Sequence, residues 1–81
     1  MAVLRVLSAE GDTRYTWDAA GLEQGDAEAA AAVQEAERVF AEQRARGATA
    51  FRVTPGEPAR RLDRFDPQAE HVVIVPRVAG G

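Results

Sequence analysis

His71-Val72-Val73-Ile74-Val75-Pro76-Arg77-Val78-Ala79-Gly80-Gly81 is the stretch that decides the fold. Residues 71–75 carry apolar side chains on both faces of an extended chain, the pattern of a strand with neighbours on each side. Pro76 has no backbone N–H and ends the ladder hydrogen bonding, so the residues beyond it are expected to project as a free arm. At the opposite end, residues 1–8 show the same two-sided character: Leu4 and Val6 point one way, Val3 and Leu7 the other, with Arg5 between them. Two such strands belong side by side in the middle of a sheet.

Working outward, residues 13–18 alternate cleanly, with Tyr15 and Trp17 on one side and Arg14, Thr16 and Asp18 on the other. They are expected to form a hairpin with the first strand through a turn at Glu10-Gly11-Asp12. Residues 19–25, with Gly21 and Gly25, read as a loop. Asp26 is a good N-cap, and a helix is expected from there to about Arg46, with Gly47 as its left-handed stop. Its apolar stripe is Ala29, Val33, Ala36 and Phe40, flanked by Ala32 and Val39. A strand with Phe51 and Val53 on one face follows at 50–54, then a turn at 55–58 and a short or bulged return strand within 59–65. Residues 65–70 read as a connecting turn. The order ββαβββ, with one helix for one sheet face, gives a two-layer α+β fold with a mixed sheet of four to five strands.

Composition sets the outer bounds. Eighty-one residues make one small domain, and 46% apolar with 28% charged residues is the balance of a folded chain. No cysteine is present, which excludes disulfides, thiolate metal sites and cysteine nucleophiles. No signal segment or membrane-length apolar run is found, so a cytoplasmic location without membrane contact is expected. The net charge of -3 argues against nucleic acid as a partner. All ten cationic side chains are arginine, a bias that fits a GC-rich genome and equally a protein with no lysine of its own to acylate.

The element order, with its middle strands parallel and Gly-Gly at the close, resembles the β-grasp fold of ubiquitin-like proteins. The ending is most similar to the sulfur-carrier branch, the small subunit of molybdopterin synthase and the thiamine sulfur carrier, whose last strand runs into Pro-Pro-Val-small-Gly-Gly. Pro76, Val78, Ala79, Gly80 and Gly81 match that pattern; Arg77 replaces the second proline and is similar to the arginine near ubiquitin's own end. The Val-Pro-Arg-Val-Ala-Gly run also resembles the ubiquitin-like domain of lambdoid phage tail assembly proteins, where it is internal. The body departs from the sulfur carriers, since residues 64–70 lack their Gly-Asp-Glu turn.

The resemblance implies a domain over 1–75 and a flexible arm over 76–81. It implies that an adenylating, ubiquitin-activating-type enzyme recognises Pro76, Arg77, Val78 and Ala79 and activates the carboxylate of Gly81, with Gly80 free of any side chain that would block a narrow channel. Target proteins and ligase-like or peptidase partners would follow. ATP and magnesium would be used by the activating partner, so the chain is expected to bind no cofactor, to have no catalytic residue and not to be an enzyme. The competing expectation is a structural or assembly module without chemistry at the arm. In ubiquitin-like proteins the sheet face away from the helix is the usual recognition surface, and Val3, Leu7, Val73 and Val75 are its candidates here, a homodimer contact or simple close packing being the alternatives for the same apolar face.

The remaining polar residues read as structure. His71, alone on an apolar strand, is more simply structural than a metal ligand, and no metal site is expected. Asp63, Asp66 and Glu70 read as a solvated loop, and Arg52, Arg60, Arg61 and Arg64 as a solvated face balancing the acidic helix. Ser8 has no histidine at a suggestive spacing.

Overall fold

Strand β1 (Ala2–Ser8) pairs antiparallel with β2 (Gly11–Trp17) through Ala9-Glu10, so the hairpin turn falls one residue earlier than expected. The computed structural model describes residues 1–77. After the hairpin come α1 (Ala19–Glu23), α2 (Ala27–Ala45), β3 (Thr49–Arg52), β4 (Arg60–Leu62) and β5 (His71–Val75). The strands form one mixed sheet in the order β2-β1-β5-β3-β4, with β5 parallel to β1 and antiparallel to β3. The first and last strands are thus neighbours in the middle, as their two-sided apolar content implies. One long helix crosses one face of the five strands, an α+β arrangement compatible with a β-grasp.

The expected loop at 19–25 is corrected: it holds α1, and the chain order is ββααβββ. Gly21 is buried inside this short helix, where an added Cβ would lie 3.0 Å from the Asp18 carboxylate. This glycine serves close approach and does not break the chain. Leu22 packs on the core from α1. The Asp26 N–H donates to the Gly21 carbonyl at 2.9 Å, which turns the chain directly into α2.

Helix α2 begins where its cap predicts. The Asp26 carboxylate accepts from the Glu28 N–H at 3.1 Å, a contact worth about 1 kcal/mol. At the other end the Gly47 N–H donates to Arg44 and the Ala48 N–H to Gln43, both at 3.0 Å. That pair of bonds is a Schellman closure, and Gly47 takes the left-handed φ of 91° it requires. Ala29, Val33, Ala36, Val39 and Phe40 are buried against the sheet. The alanines let the helix approach closely, and Ala36 has no exposed surface.

The opposing sheet face contributes Leu4, Val72 and Ile74, all fully buried, and Trp17 beside them. Burying each aliphatic side chain contributes roughly 1.5–3 kcal/mol. The Trp17 indole N–H donates to the Pro67 carbonyl at 2.9 Å, tying β2 to the turn before β5. Phe65 sits between Trp17 and Phe40, its ring centroid 5.4 Å from one and 5.7 Å from the other. This explains the irregular return strand: β4 is only three residues long, and the chain then turns so that Phe65 reaches the core. The turn is held by the Asp66 carboxylate, which accepts from the Gln68 N–H at 2.9 Å. β3 ends earlier than the 50–54 reading, although the Val53 N–H still donates to the His71 carbonyl at 2.9 Å.

Candidate functional site

The register fixes which side chains lie on the face that α2 leaves open. Leu4 is level with Tyr15 and Val72, and Ala50 with Ile74, so these share the helix side. The alternate residues must then face away. On that open face the row Arg14, Arg5, Val73, Phe51, Arg61 crosses all five strands. Val3 lies level with His71 on one side of this row, and Val75 with Thr49 on the other. The four residues expected on a docking face, Val3, Leu7, Val73 and Val75, are therefore brought to one surface, each of them half-buried.

Phe51 belongs to that surface and was not among the candidates. The signal was present: Phe51 and Val53 alternate with Ala48 and Ala50, and small alanines are what a closely packed alanine-rich helix admits opposite it. Arg5 and Arg14 were also outside the candidate set, yet they are directly opposed on adjacent strands of the same face. Like charges so placed repel. Asp12 resolves the conflict, its carboxylate accepting from Arg5 Nε–H at 2.8 Å and Arg14 Nε–H at 3.3 Å. Those two hydrogen bonds, Arg5 first, hold the Asp12 carboxyl below its ordinary value of 3.8. The open face is thus an apolar patch around Val73 and Phe51, with Arg5 set between Val3 and Leu7 on β1 and Arg61 on β4; Asp12 offsets one of the two positive charges of Arg5 and Arg14.

The arm begins at the end of β5, which lies between β1 and β3. Pro76 and Arg77 follow the last strand residue and are exposed. The Arg77 side chain rests on the turn after α2: a Cβ on Gly47 would come within 3.1 Å of Arg77 Cδ. Its aliphatic stem therefore lies across the C-terminal end of α2, where a cation is favoured by the helix dipole. The other arm residues named from the sequence, Val78, Ala79, Gly80 and Gly81, lie outside the described residues.

His71 lies between Val3 and Val53 on the open face; its Nε2 is buried and has no hydrogen-bond partner among the described residues. The carboxylates that read as a loop are dispersed, Asp63 to Arg44 at 3.8 Å and Asp66 to Arg52 at 3.7 Å. Among the described residues no group of three or more potential metal ligands is gathered. The arginines 52, 60, 61 and 64 do not form one face: Arg52 and Arg60 are level on the helix side, and Arg61 is on the open side. Among the described residues no helix is long and apolar enough to cross a membrane. Set beside family models, curated proteins and solved structures, the chain matches none of them.

Proposed function

We propose that this chain is a ubiquitin-like modifier or sulfur carrier, activated at the carboxylate of Gly81. The observation that supports the reading is the position of β5. β5 is the middle strand of the five, hydrogen-bonded to β1 on one side and β3 on the other, and the sequence Pro76-Arg77-Val78-Ala79-Gly80-Gly81 continues directly from it. In the proposed reaction the Gly81 carboxylate oxygen attacks the α-phosphorus of ATP and pyrophosphate leaves, giving an acyl-adenylate. A target amine or a sulfur nucleophile then attacks the acyl carbon and AMP leaves, giving an amide or a thiocarboxylate. ATP and magnesium are held by the adenylating partner, and this chain is its substrate.

Adenylation is reversible, which provides the test. With an adenylating enzyme from the same cell, the chain should promote exchange of labelled pyrophosphate into ATP, and a variant lacking Gly80 and Gly81 should not. Equal exchange with and without the two glycines sinks the reading.

A second reading, a structural or assembly module, is favoured by the open face itself. Val3, Leu7, Phe51, Val73 and Val75 form an apolar strip of the kind that docks proteins. On that reading, polar substitution at Phe51 abolishes assembly while removal of the two glycines has no effect.

A further inference from the structure

The sheet contains a second pair of directly opposed arginines. Arg52 on β3 is level with Arg60 on β4, as Arg5 is level with Arg14. Side chains opposed in this way stand about 5 Å apart at Cβ, and like charges there are destabilising. The first pair shares the carboxylate of Asp12. The second pair shares none: Arg52 has a loose contact with Asp66 at 3.7 Å, and among the described residues Arg60 has no carboxylate within 4.0 Å. In its place lies a cavity of about 260 Å³ lined by Arg52, Thr54, Glu57, Pro58 and Arg60.

We propose that this cavity binds a small phosphate-class oxyanion, which takes between Arg52 and Arg60 the place that Asp12 takes between Arg5 and Arg14. Guanidinium groups present forked N–H donors that match phosphate oxygens in pairs, and Thr54, which also lines the cavity, carries a hydroxyl that can donate. The site is built on a stiff frame. The Glu57 N–H donates to the Thr54 carbonyl at 3.1 Å, closing a turn through Pro55 and Gly56, and Pro58 follows. Glu57 also lines the cavity with no ion pair to either arginine within 4.0 Å, and its charge offsets part of theirs, so the site favours a small anion of low charge. A second cavity shares Arg52 and Thr54 and runs on to Gln68 and Glu70, space for the uncharged remainder of a small phosphate monoester. The proposal is independent of the arm and of its chemistry.

Thermal unfolding of the full chain tests it, with sodium phosphate exchanged for sodium chloride at constant ionic strength and R60Q beside the wild type. R61Q, on the same strand but the opposite face, is the control. In chloride, R60Q should melt no lower than wild type, because a repulsion has been removed. Phosphate at several times its Kd should raise the wild-type Tm by about 4 °C more than that of R60Q. R61Q should respond like wild type. An equal response in wild type and R60Q overturns the site, as does an equal loss in R60Q and R61Q, which would reduce the effect to general screening. Glycerol 3-phosphate in place of inorganic phosphate distinguishes the sources: a lower half-saturating concentration assigns the site to monoesters, and an equal one to the free anion.

Discussion

At Asp12, one carboxylate holds together two arginines that would otherwise repel across β1 and β2. Its folded-state pKa is depressed, so the stability it contributes is present above the ordinary value of 3.8 and is lost as the pH falls through the lower folded value. Glu35, hydrogen-bonded to Arg38 and depressed from 4.5, acts with the same sign. We therefore expect D12N to lower the Tm at neutral pH, and the difference from wild type to shrink on acidification below pH 3.8; a difference that stays constant to low pH would contradict this role. Gly47 is a second residue whose identity is fixed by its place. An alanine there must adopt a left-handed φ and also displace the Arg77 stem, so G47A should cost about 1–2 kcal/mol in chemical denaturation with an unchanged m value.

The elements differ in how openly the sequence declares them. Helix α2 is announced by three agreeing signals: Asp26 at its start, an apolar stripe at helical spacing, and Gly47 at its end. Helix α1 is hidden because a glycine usually signals a turn, whereas Gly21 is needed for its lack of a Cβ beside Asp18. The two central strands are legible because both of their faces are apolar. The composition of the open face is less so, since placing Phe51 beside Val73 requires the β3–β5 register, a long-range property. The alanine stripe of α2 is a packing requirement as well as a pattern. Replacing Ala36 with leucine puts a large side chain where no surface is exposed, and A36L should destabilise the chain by about 1–3 kcal/mol. Little or no loss in urea denaturation would mean that the helix does not sit as closely as described.

For the whole molecule, the geometry joins two surfaces on one domain. The sheet presents an apolar strip away from α2, and its central strand leads into Pro76 and Arg77, with the Arg77 stem lying over the end of that helix. The partner proposed above would meet the strip and the helix end on the same domain. The chemistry proposed for the arm rests on a resemblance alone, because Gly-Gly is a short motif that the fold does not interpret. Replacing Phe51 with serine should weaken partner binding at least tenfold; because the side chain is partly buried the Tm should fall as well, so binding is compared at a temperature where the variant is fully folded. The most direct test of the account is the intact mass of this chain, tagged at its N-terminus and recovered from its own host cell. The account predicts chains that end at Gly81 and carry either a gain of about 16 Da, sulfur in place of a carboxylate oxygen, or an amide bond to a second protein. Chains that bear only an unmodified carboxylate and no adduct, or that continue past Gly81 unprocessed, would contradict it.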